Sequence, residues 1–181
     1  MNRIALMTLA VVSGLTLTAC NPLETQPVGN SSVPQPAKSV KLSRYVGKWY
    51  EQGRYEASFQ KGCEGVTADY ATKPDGSLSV VNSCRQGGLN GPLKTAEASA
   101  RVVDGSNGSK LKVTFFWPIE SDYWVLDRAD DYSWSMVGEP SGKFLWILTR
   151  AQKIDTRQYE ALTNRARAMG YDKQLLRRTQ Q

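Results

Sequence analysis

The feature that most limits the fold of this chain is a succession of short segments in which apolar and polar residues alternate, separated by turn residues. The first is "KWYEQGRYE", 48–56, followed by a small-residue loop, "ASFQKGCEG". "VTADYAT", 66–72, sets Val66, Ala68 and Tyr70 against Thr67 and Asp69. "KPDG" turns the chain, and "SLSVVNSC", 77–84, returns with Leu78 and Val80 on one parity. "LKTAEASAR", 93–101, alternates Ala96, Ala98 and Ala100 with polar residues, and "KLKVTFFW", 110–117, places Leu111, Val113, Phe115 and Trp117 on one face. "SDYWVLD", 121–127, is apolar on both parities; "SWSMVGE", 133–139, alternates Trp134 and Met136 with serines; "KFLWILTR", 143–150, ends the series on Arg150. Eight short segments of period two with short connections predict an all-β sandwich or barrel.

Past residue 150 the period changes. Asp155 suits a helix N-cap, and Gln158 three residues later completes a capping box. Tyr159, Leu162, Ala166 and Met169 then fall on one helical stripe, and Gly170 fits the stop beyond it. "DKQLLRR" can form a short last strand.

The N-terminus reads differently. "MNR" is a short positive start, and "IALMTLAVVSGLTLTA" is an apolar run too short for a comfortable membrane span. It ends in "LTAC", which resembles a bacterial lipobox: Cys20 would be acylated and become the first mature residue. An ordinary signal peptide with an incidental cysteine is the other reading. The organisation expected is therefore a leader at 1–19, a lipidated Cys20 opening a proline-rich tether to residue 41, and one domain over 42–181. Stable attachment takes at least two acyl chains, which a lipoprotein cysteine carries. Asn21 in place of Asp favours the outer membrane by enteric sorting rules. Residues 21–39 carry four prolines and few apolar groups. At ~3.3 Å per residue such a tether spans roughly 60 Å when taut.

Cys63 and Cys84 remain as a pair in an oxidising compartment, which favours a disulfide contributing roughly 3 kcal/mol; two reduced buried thiols are the alternative. The chain contains no histidine, which removes the usual general base, the usual triad and most zinc sites. No Gly-x-Ser-x-Gly is present, and "DRADD", 127–131, lacks the spacing of a calcium loop and reads as a polar connection. Neither a metal nor a cofactor is expected. The net charge of +6, about +5 without Arg3 of the leader, is spread along the chain with no stripe of basic and aromatic residues, so nucleic acid is not an expected partner.

Three segments carry a family resemblance. "YVGKWYE", 45–51, has a Gly-x-Trp; "SDYWVLD" and "LWILTR", with Arg150 at its end, follow in order. Together they resemble the three signatures of the lipocalin family, in its bacterial outer-membrane lipoprotein branch, over residues 42–178. The match departs at Tyr45, where many members have Asn, and at Ser121, where many have Thr. The resemblance implies an eight-stranded antiparallel up-and-down β-barrel with one C-terminal helix packed outside. It also implies that Trp49 closes the narrow end, that Gly47 permits close chain approach, and that Arg150 stacks on the indole, a contact worth ~0.5–2 kcal/mol.

A barrel of eight strands holds one small ligand when its interior side chains are small. The expected lining is Val66, Ala68, Tyr70, Leu78, Val80, Ala98, Val113, Phe115, Tyr123, Val125, Trp134 and Met136. Alternation alone does not separate a lined cavity from a packed interior. Glu51 shares the parity of Trp49 and is a candidate inward polar anchor. The expected function is carriage of a hydrophobic ligand, by resemblance a fatty acid, lysophospholipid or similar lipid, by a monomer or homodimer anchored in the outer membrane. The alternatives are an envelope lipid-modifying enzyme that works without histidine, and an interaction module with a filled barrel.

Overall fold

The computed structural model describes residues 26–181; the leader expected at 1–19 and Cys20 lie outside the described residues. Eight strands form one wall: β1 (Gly47–Tyr55), β2 (Cys63–Thr72), β3 (Leu78–Gln86), β4 (Leu93–Val102), β5 (Lys110–Phe116), β6 (Ile119–Arg128), β7 (Trp134–Gly138) and β8 (Leu145–Thr149). Each pairs antiparallel with the next, and β1 pairs with both β8 and β2, which closes the barrel. Residues 47–50 of β1 face β2. Beyond a register shift between Glu51 and Gly53, β1 leaves β2, and a ninth strand, β9 (Leu176–Arg178), pairs with Gly53–Tyr55. The C-terminal residues thus fill the seam: Gln181 donates its side-chain amide to the carbonyls of both Glu51 and Val66.

The two ends of the barrel are unlike. One carries the start of β1, the end of β8 and the loops 73–77, 103–109 and 129–133; it is the closed end. The other carries 56–62, 87–92, 117–118 and 139–144; it is the open end. The wall is incomplete at the open end. The β3–β4 ladder reaches Leu93, but the β4–β5 ladder stops at Ser99↔Thr114. Residues 93–98 therefore have a strand partner on one side only.

Helix α2 (Thr156–Ala168), which follows the short α1 (Leu42–Tyr45), has the capping box expected: Asp155 accepts from the Gln158 amide, and Gln158 accepts from that of Asp155. It lies on the outer face with Leu162 and Ala166 buried against Leu126, Leu145 and Ile147. This corrects two of the expected lining residues. Trp134 and Met136 belong to that outer cluster, and the Arg165 guanidinium sits 5.1 Å from the Trp134 ring. The inner residues of β7 are Ser135 and Val137. On a strand covered on both sides, alternation separates two faces without saying which one is inside; here the serine parity is the inner one.

Residues 26–41, expected as part of a free tether, lie along the outside of the wall. Gln26 donates to the carbonyls of Glu56 and Lys143 at the open end. The chain then bonds to Gly142, Leu126 and finally Asn107, reaching the closed end. Gly29 lies flat on the Tyr55 ring, where any Cβ would collide with it.

Candidate functional site

The closed end is built around Trp49. Its indole is fully buried and donates to the Tyr45 carbonyl at 2.8 Å. The Arg150 guanidinium carbon lies 3.8 Å from the ring centroid. Arg150 also donates to four carbonyls, those of Arg44, Tyr45, Val46 and Lys48, so it finishes the C-terminus of α1 while covering the indole. Burial pulls its pKa down, partly offset by the Tyr45 and Tyr70 phenols. Gly47 is required for its backbone, with φ at +92°, more than for space.

Above this floor a chain of hydroxyls crosses the interior: Ser135 to Tyr45 at 3.1 Å, Tyr45 to Tyr123 at 2.9 Å, and Tyr123 to Tyr70 at 2.8 Å. Burial raises the pKa of all three phenols, so they are neutral hydrogen-bonding groups.

The inner face changes along the barrel axis in the same way on four strands. On β4, Ala100 is buried, Ala98 half-buried and Ala96 exposed; on β5, Leu111 and Val113 are buried, and beyond a register shift after Val113 the strand end is exposed, Phe115 by 41%. On β6, Val125 is buried, Tyr123 half-buried and Ser121 exposed; on β8, Leu148 is buried and Trp146 half-buried. Solvent therefore reaches the upper interior on the β4–β6 side. The β1–β3 side is shut. There Cys63 and Cys84 are joined in a disulfide, their Cα atoms 5.4 Å apart, with Val66 packed against it.

That shut side holds a buried charge cluster. Glu51 accepts from Arg54 at 2.7 Å, from Thr179 at 2.5 Å and from Gln60 at 2.6 Å. Gln60 in turn accepts from the Trp146 indole at 3.0 Å. Arg54, wholly buried, reaches Glu56 at 2.8 Å and the Cys63 carbonyl at 3.1 Å. Burial alone would lower the Arg54 pKa; Glu51 and Glu56 outweigh it and the net shift is upward.

Of the expected lining, Ala68, Tyr70, Leu78, Val80, Val113 and Val125 are buried in the interior cluster, Ala98 and Tyr123 pack against it, Val66 sits by the disulfide, and Phe115 stands at the rim. Tyr45, Arg54, Ser135, Val137, Trp146 and Leu148 were not foreseen. Arg54 follows Glu51 inward only because of the register shift between them, and Gly53 within the strand was the available sign of that irregularity.

The model of the lipocalin-like domain matches residues 40–181. The chain is 34% identical over 158 residues to the outer membrane lipoprotein Blc of Vibrio cholerae, covering 86% of this chain and 91% of that protein. It is 35% identical over 153 residues to temperature-induced lipocalin-1 of Arabidopsis thaliana, covering 80% and 81%. Insecticyanin from the tobacco hornworm Manduca sexta shares the fold, with a TM-score of 0.67 at 18% identity over 84% of this chain and 87% of that one.

Proposed function

The chain belongs to the lipocalin-like family, whose members typically bind small hydrophobic ligands, and from that premise we propose that it holds one single-chain lipid, a fatty acid or lysophospholipid, in its barrel. One observation carries the reading: an apolar inner face that is buried at the floor and partly open to solvent at Ala98 and Tyr123 above. A chain of ten methylenes placed there gains several kcal/mol at ~0.8 kcal/mol each. The phenols of Tyr123 and Tyr70 offer a polar end point inside, and the Glu51–Arg54 cluster lines the shut side.

We further propose that Cys20 is acylated and that the protein sits in the outer membrane. The relatives named outer membrane lipoproteins support this, as does the "LTAC" motif.

The test is titration with palmitate and with lysophosphatidylethanolamine, followed by tryptophan emission and by mass spectrometry of the recovered lipid. A saturable response at one lipid per chain, recovered unchanged and lost in Ala98→Phe, is expected. No saturable response to either lipid overturns the carrier reading in favour of a filled module; conversion of the lysolipid to products overturns it in favour of an enzyme.

A further inference from the structure

All eight large apolar side chains that are exposed among the described residues lie at the open end or on the chain arriving there. The β5–β6 hairpin presents Phe116, Trp117 and Ile119, which are 80%, 88% and 70% exposed. Phe59 on the loop after β1 and Leu89 and Leu93 around the β3–β4 loop surround the same mouth, with Phe115 at its rim and Val28 beside it. The closed-end loops contain no such residue.

Charge is mixed at the closed end, where the exposed Asp75, Asp104, Asp130 and Asp131 stand with the exposed Lys41, Arg44 and Lys48, and Lys38 pairs with Asp130. At the open end Lys61, Arg85 and Lys94 are exposed and form no ion pair among the described residues, against one such carboxylate, Glu97, while Glu56 and Glu64 are taken by Arg54 and Arg177.

The chain length outside the described residues selects the partner. Gln26 is fixed at the open end, and Cys20 is six residues before it. Six residues reach about 20 Å at ~3.3 Å each. A wall of ten-residue strands, each rising ~33 Å and tilted by ~40°, stands about 25 Å tall. An acylated Cys20 can therefore enter a bilayer lying against the mouth, and its tether falls short of one lying against the closed end.

We propose that the open end docks mouth-down on the bilayer that holds the anchor. The Phe116–Ile119 hairpin enters the headgroup region, Lys61, Arg85 and Lys94 face anionic headgroups, and the gap between β4 and the hairpin opens directly onto lipid. This rests on the acylation proposed above. A lipid would then pass between membrane and barrel without crossing water.

The experiment uses the full-length protein matured in cells and reconstituted into vesicles of phosphatidylethanolamine and phosphatidylglycerol with brominated acyl chains. The brominated lipid is expected to quench an emission component that Trp117→Phe lacks. Phe116→Ser/Ile119→Ser, changed only at exposed positions, is expected to lose that quenching while its near-ultraviolet dichroism stays native. Trp117 emission untouched by brominated lipid overturns the docking, as does a Trp117-dependent dimer that shields the hairpin from lipid. Incorporation of labelled palmitate at Cys20 reads the anchor separately. Label without quenching removes the docking and leaves the anchor; quenching without label removes the anchor and leaves the docking.

Discussion

The two ends of this barrel use the same residue types for opposite purposes. At the closed end an indole, Trp49, is fully buried, hydrogen-bonded and covered by an arginine; at the open end another, Trp117, is 88% exposed. Tyrosines at the closed end join in an internal hydroxyl chain, whereas Phe115 and Phe116 at the rim face solvent. The floor indole is held by packing, a hydrogen bond and a cation, whereas the rim indole stands in solvent. The following changes test the division, beginning with the largest effect.

Alkaline pH should undo the floor. An unfolded phenol titrates near pH 10, and burial raises the pKa of Tyr45, Tyr70 and Tyr123 above that value. Above about pH 10 the unfolded chain releases protons that the folded chain keeps, so stability falls as pH rises through this interval; below it the contribution is whole. Tyrosinate absorbance and circular dichroism should change together in one cooperative step. Buried phenols that ionise while the dichroism stays native would show that the hydroxyl chain is open to water.

Trp49→Ala removes the plug itself and should cost about 4 kcal/mol, read from the urea midpoint. Glu51→Ala comes next, at about 3 kcal/mol, because it leaves Arg54 buried with only Glu56 to face it. A matching loss in Arg54→Met, with partial recovery in the double variant, would identify the pair as coupled. Arg150→Met is smaller, at about 2 kcal/mol: the methionine keeps apolar cover on the indole but loses the charge over the ring and the bonds to four carbonyls.

How well the two ends could be read from the sequence follows the same division. The strand succession, the capping box and the Gly-x-Trp with its distant arginine were legible because each depends on local periodicity or on a motif. Trp134 and Met136 were misplaced because α2 covers β7 from outside, and a strand buried twice has no polar face to mark the exterior. The Glu51–Arg54 cluster was only half visible: parity picked out Glu51, but the register shift that turns Arg54 inward arises from pairing with β8 and β9. The exposed hairpin was hidden for a simpler reason. "KLKVTFFW" alternates as a buried strand does, and nothing local says that its last residues pass beyond the wall.

The smallest effect on stability belongs to that hairpin. Trp117→Ser should shift the urea midpoint by no more than about 0.5 kcal/mol, since a side chain 88% exposed has few contacts to lose. The comparison with Trp49→Ala is then direct: the same residue type at the two ends of one wall, with costs that differ several-fold. A loss above about 1 kcal/mol in Trp117→Ser would mean that the hairpin is covered in solution. A dilution series separates the two ways that can happen. A loss that disappears on dilution points to a second copy seated on the rim, whereas a loss independent of concentration places the hairpin folded back over its own mouth, as a cover that a bilayer would have to displace.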